Sequence, residues 1–223
     1  MKVLSYLFVF LFITSCSQKE KHPYTFYYWK TNLKLNDIEK KALDKTNALS
    51  LYVRFFDVDK LSGKFKPVAV ITKDKSFETG KEIVPTIFIT NRSFINIQKE
   101  EISFLAEKVN NLILKKIADY HLKVNQEIQI DCDWTSGTKD DYFEFLKQLK
   151  KISQKEITCT LRLHQVKDKN LTGIPPVEKV YLMCYSTSSP LENSDKNSIL
   201  DLNTLKSYLR SEERRVGKEC RSR

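Results

Sequence analysis

The sequence predicts an α/β fold, a (β/α)8 TIM-type barrel truncated after about six strands. Three observations lead there. Runs rich in β-branched and aromatic residues alternate with helical patterns, as in βαβ units. Polar residues gather at the carboxyl ends of several of these runs, where barrel sites are built. The stretch left after trimming both ends, residues 16–209, is shorter than the roughly 250 residues of a complete barrel. The alternative is an open parallel α/β sheet, but no glycine-rich phosphate loop follows the first strand.

Taken in order, the strand candidates are residues 24–30, 49–57, 83–91, 127–133, 156–164 and 179–185. A first helix is expected over 37–46, with Asn36 as its cap. The longest helix is expected over 98–120, where Ile102, Leu105, Val109, Leu112 and Ile113 recur at helical spacing. Another is expected over 140–151, where Thr138 followed by Asp141 reads as a capping box. A last helix is expected over 198–209. The second crossover, 58–82, contains Gly63, Pro67 and Gly80 and lacks helical period, leaving 67–72 as an extra strand. The loop 164–179 carries Gly173-Ile174-Pro175-Pro176, which is turn chemistry.

Both ends depart from this pattern. Lys2 precedes a nearly continuous apolar run over 3–13, too short for an ordinary membrane span and of signal-peptide length. Ile13-Thr14-Ser15-Cys16 resembles the lipobox of bacterial lipoproteins. Residues 1–15 are thus expected to be a signal peptide, Cys16 the lipidated residue, and 16–23 a polar tether. Ser17 after Cys16 gives no aspartate-type retention signal. The expected location is therefore the cell envelope, lipid-anchored in the outer membrane on its periplasmic or surface face. At the other end, residues 210–223, RSEERRVGKECRSR, lose all apolar period. One back-translation of this stretch resembles a short-read sequencing adapter, so it is set aside as an artefact. The domain proper is then 24–209.

The formal charge of +10 falls to +6, from 31 basic and 25 acidic residues, once Lys2 and residues 210–223 are set aside. The lysines interleave with Glu and Asp along the helices and form no nucleic-acid stripe. Cys132, Cys159 and Cys184 lie in apolar runs and are expected to be small buried core residues, and none is in a CxxC pair. Neither a disulfide framework nor a zinc site is expected, and no cofactor is implied.

Strand alternation sorts the candidate site. Gln129, Asp131 and Asp133 share one face of the fourth strand. Thr158, Thr160, Arg162 and His164 share one face of the fifth, and Tyr181, Met183 and Tyr185 one face of the sixth. Such charges inside a barrel must be paired. Asp131 or Asp133 with Arg162 is the natural pair, with Arg54 and Asp57 or Asp59 from the second strand nearby. Trp29 and Trp134, at the ends of the first and fourth strands, suit a platform for sugar rings.

Ile128-Gln129-Ile130-Asp131-Cys132-Asp133-Trp134-Thr135 resembles the fourth-strand Asp-x-Asp-x-Glu motif of chitinase-type glycoside hydrolases. Met183-Cys184-Tyr185-Ser186 is similar to that family's sixth-strand Met-x-Tyr-Asp. The chain as a whole resembles uncharacterised barrel-domain lipoproteins of Gram-negative bacteria. The resemblance implies a glycan ligand, with Asp133 orienting an acetamido group, Asp131 behind it and Tyr185 helping to hold it. Two departures stand against hydrolysis by that family's mechanism: Thr135 occupies the position of the acid, and Ser186 that of the sixth-strand Asp. A glycosidase then has to rely on Asp133, Asp131 and His164. Arg54, Asp57, Arg162, Tyr185, Trp29 and Trp134 would line its substrate site. The alternative is an inactive glycan-binding or structural lipoprotein.

Overall fold

The structure is a computed structural model that describes residues 24–46, 48–185 and 197–208. Six parallel strands pair in chain order: β1 (Phe26–Tyr28), β3 (Ser50–Leu61), β6 (Glu82–Ile89), β7 (Glu127–Asp131), β8 (Glu156–Arg162) and β9 (Val180–Met183). Every neighbouring pair in this series is parallel. The sheet curls into a half-barrel with helices between strands. The chain has a truncated TIM-type barrel fold. Two short strands, β2 (Asn32–Leu33) and β5 (Thr72–Lys73), form a separate parallel pair.

Helix α1 (Asp37–Lys45) starts at the predicted cap: the Asn36 side chain accepts the Glu39 N–H at 2.9 Å, and Glu39 reciprocates at 2.8 Å. Helix α2 (Lys99–Tyr120) buries Ile102, Leu105, Ala106, Val109 and Ile113 against the sheet and ends with His121 in the left-handed conformation. Helix α3 (Lys139–Ser153) packs along α2 and buries Tyr142, Phe145, Leu146 and Leu149. The outward faces of β6 and β7, Ile83, Ile87, Ile128 and Ile130, join them in one apolar core. That core is the predicted division: apolar side chains under the helices, polar side chains on the concave face. Residues 202–208 form a last helix, within the predicted 198–209.

Four expectations are corrected. The Thr138 capping box does not form, because the Thr138 hydroxyl donates to Asn91 Oδ1 at 2.5 Å and accepts the Thr135 N–H at 3.0 Å. The loop expected after the fifth strand holds two short helices, α4 (Leu163–Lys167) and α5 (Lys169–Thr172). The fifth strand therefore stops at Arg162, where Gln165 Oε1 accepts the Arg162 N–H and turns the chain into α4. The second crossover does hold extra strand, but not as one run over 67–72: β4 (Lys64–Val68) runs antiparallel to the far end of β3 as a hairpin through Ser62 and Gly63, and the chain breaks before β5 takes up Thr72. Finally, Cys132 and Cys159 are buried as expected, but Cys184 is only half-buried.

Trp134 ties this region together. It is 1% exposed and stacks on Tyr142 at 5.0 Å, and its Nε1–H donates to the Thr172 carbonyl at 2.9 Å. Gln165 donates back to the Trp134 carbonyl. Trp134→Ala removes a fully buried indole and the anchor of α5. It should cost about 3–5 kcal/mol, read as a lower urea midpoint with an unchanged slope.

Candidate functional site

Parallel register stacks the inward side chains in levels. Arg54, Thr86, Gln129 and Thr158 lie on one level; Asp57, Phe88 and Asp131 lie on the next toward the carboxyl ends, with Thr160 beside Asp131. Simple alternation would set Arg54 and Asp57 on opposite faces of β3. The register shift between Arg54 and Phe56 is a bulge that brings them to the same side. Arg54 then grips Asp57 in a two-point pair, its Nε at 2.6 Å from Oδ1 and its Nη2 on Oδ2.

A second pair stands across the concave face. Arg162 Nε lies 2.6 Å from Asp133 Oδ1, and its Nη2 lies 3.0 Å from Oδ2. Arg162 is thus the predicted partner of the fourth-strand carboxylates, and Asp133 rather than Asp131 is the one it holds. In both pairs Nη1 lies outside the two-point contact. An aromatic ring covers each guanidinium: Trp29 lies 5.9 Å from the Arg54 carbon and Tyr185 5.9 Å from that of Arg162. Trp29 also stacks on Tyr27 at 5.8 Å and is 41% exposed.

Asp131 sits between the two pairs and, among the described residues, makes no ion pair of its own. It is 6% exposed and accepts the Thr160 hydroxyl at 2.6 Å. Burial pushes its carboxyl above the usual carboxylate range; the Thr160 bond opposes this, and the nearby Asp133 charge adds to it. Below this level the concave face closes around Glu127. Its Oε1 accepts Tyr52 Oη at 3.0 Å and Thr158 Oγ1 at 2.8 Å, and Lys179 Nζ lies 3.7 Å from Oε2. The Tyr52 and Tyr181 hydroxyls meet above it. Burial raises the Tyr27 hydroxyl to about 12 and Tyr52 further still.

The structure therefore gathers Asp131, Asp133, Arg162, Tyr185, Arg54, Asp57 and Trp29 on the concave side of the strand ends. Two predicted residues fall elsewhere. His164 lies in the first turn of α4, exposed, because the strand ends two residues earlier. Among the described residues it makes no hydrogen bond to Asp131 or Asp133. Trp134 faces the helical layer and is core, not platform. Asp59 pairs with Arg92 and accepts from Thr90, tying the end of β3 to the turn after β6. This pair draws the Asp59 carboxyl below its ordinary range. Glu127 and Tyr52 were missed as part of the inner face. The alternation that selected Gln129 reaches Glu127 two residues earlier, so the signal was present.

Thr135 is exposed, and its hydroxyl lies 3.3 Å from that of Thr138. Ser186 and Cys16 lie outside the described residues. Among the described residues, no three His, Cys, Asp or Glu side chains group as metal ligands, and no helix is long and apolar enough to cross a membrane.

No protein-family model and no curated protein matches the sequence. Among solved structures the chain is similar to the chitinase domain of the spore coat protein CotE from Clostridium difficile. The TM-score is 0.50 at 12% identity, over 88% of this chain and 63% of that one. The likeness is one of fold, and this chain spans under two thirds of that domain's length.

Because the folded state raises the Asp131 pKa, the native protein binds more protons than the unfolded chain between the unfolded and folded values. Stability from this group is full below the unfolded value and falls as pH rises through that window. Asp131→Asn, which keeps the Thr160 contact, should therefore be more stable than the parent at about pH 7. The advantage should vanish below about pH 4, near the unfolded carboxylate value. Urea unfolding at both pH values checks this; an equal difference at the two would contradict it.

Proposed function

We propose that this chain is a membrane-anchored, glycoside-hydrolase-like barrel domain that binds an extracytoplasmic glycan at the carboxyl ends of its strands. One observation carries the reading. Two aspartate-held arginines, each covered by an aromatic ring, face each other across the concave side: Trp29–Arg54–Asp57 and Tyr185–Arg162–Asp133. Flat C–H faces of sugar rings pack on such aromatic surfaces. The guanidinium Nη1 groups, pre-set by their aspartates, are donors for hydroxyl or acetamido oxygens. The fold likeness to a chitinase domain supports N-acetylglucosamine oligomers as the first ligands to try.

Binding is favoured over hydrolysis by the same geometry. Glycosidic cleavage requires a proton donor to the leaving oxygen and a second carboxylate. The residue aligned with the chitinase-type acid is Thr135, a hydroxyl that holds its proton at neutral pH. Asp133 is committed to Arg162 and Asp57 to Arg54, and His164 is off the site. Asp131 alone favours the second reading, a weak hydrolase, because its burial favours the protonated form that a general acid needs.

Arg162→Ala should weaken binding of N-acetylglucosamine oligomers by about tenfold or more, the worth of a charged hydrogen bond. It should change stability by under about 1 kcal/mol, because the pair is half-exposed. Calorimetric titration and urea unfolding read the two effects. Release of reducing sugar by the parent, lost in Asp131→Asn, would establish the hydrolase instead. Anchoring is checked in cells by labelled fatty acid, whose incorporation should disappear in Cys16→Ser.

A further inference from the structure

Parallel strands give a barrel two unlike poles, and the pole opposite the aspartate–arginine pairs carries a second surface. The first described residue, Tyr24, and the starts of β3, β6, β7, β8 and β9 all lie there. On its flank is a groove of about 720 Å³ between α1, the segment after β5 and the end of α2. Its charged lining is Lys40, Lys73, Lys81 and Lys123 with His121, against only Asp44 and Glu78. Lys73 donates to the Tyr120 carbonyl at 3.0 Å, which fixes the ammonium without neutralising it. Lys123 shares Glu82 at 3.4 Å, a long, exposed contact. Lys155, directly before β8, is likewise held by a backbone oxygen, that of Asn125, and extends the positive surface around the pole.

We infer that this basic groove docks on anionic phospholipid headgroups and so sets the orientation of the domain, with the glycan-binding end turned away from the bilayer. The inference rests on the Cys16 anchor. Residues 16–23 are eight in number, and fully extended they span at most about 28 Å. The pole from which they lead therefore stays close to the membrane surface. Lysines within roughly a Debye length of an anionic leaflet are drawn to it. Each contributes about a fivefold gain in association. The two Arg–Asp pairs at the other end are internally neutralised and offer the leaflet no comparable attraction.

The experiment uses the full-length protein purified from cells and reconstituted into vesicles of phosphatidylcholine alone or with phosphatidylglycerol. A membrane-impermeant amine reagent labels its lysines, which are read by mass spectrometry. Lys40, Lys81 and Lys123 should be protected about fivefold or more in the anionic vesicles. Protection should be absent in neutral vesicles and lost at about 0.5 M salt, while Lys139, at the other end, labels equally in all. Lys81→Glu/Lys123→Glu should abolish the protection without changing the urea midpoint. Equal labelling in both vesicle types overturns the inference. So does protection by inorganic phosphate without vesicles, which would make the groove a small-anion site. The mass of the Cys16 peptide separately reports the anchor. If it carries no lipid, the anchor reading fails, and co-sedimentation with anionic but not neutral vesicles still decides the groove.

Discussion

The sheet curls, and its concave face carries polar side chains from β3, β7, β8 and β9, so something must hold those strands at a fixed distance. Here that is the Glu127 carboxylate. It accepts from Tyr52 on the second parallel strand and from Thr158 on the fifth, lies beside Lys179, and sits under the point where Tyr52 meets Tyr181 of the sixth. A buried carboxylate is tolerable only when its lone pairs are filled. The hydroxyls that donate to it, those of Tyr52, Thr158 and Tyr181, come from three different strands, with Lys179 beside them, so satisfying the charge and fixing the curl are one event. Everything nearer the mouth inherits that geometry.

The mouth then repeats the solution with a difference. Asp57 is neutralised by Arg54, three residues earlier on the same strand, and Asp133 by Arg162 on the neighbouring strand, each pair beneath an aromatic ring. The half-exposed Arg162–Asp133 pair adds little to stability. The value of both pairs lies in presenting rigid donors toward a ligand, at the end of the sheet where barrels place their chemistry. Asp131 between them, buried and, among the described residues, hydrogen-bonded through its side chain only to Thr160, is the group least explained by stability alone. Its environment works against its own charge.

Much of this was legible in the chain. All six parallel strands, their order, and the polar inner faces of β7, β8 and β9 follow from alternation, and the Arg162 pairing follows from charge. The likeness in fold to a chitinase domain agrees with the truncated barrel expected from the strand pattern. What was not legible depended on local geometry that pattern does not encode. The β3 bulge re-aims Arg54 onto Asp57. Gln165 ends β8 early and removes His164 from the site. Trp134 follows two inward aspartates yet turns to the helical side, because Tyr142 and the Thr172 carbonyl offer its indole both a stacking face and an acceptor. Thr138 spends its hydroxyl on Asn91 and the Thr135 N–H rather than on its own helix.

The chain has two tryptophans, and the structure gives them opposite situations: Trp29 is exposed beside Arg54, and Trp134 is sealed in the core. The most direct measurement is an NMR titration of the two indole N–H signals with an N-acetylglucosamine oligomer. The Trp29 signal should shift progressively and saturate while the Trp134 signal stays in place. A saturating titration that moves only Trp134, or one that moves neither, would contradict a glycan site at the carboxyl ends of these strands.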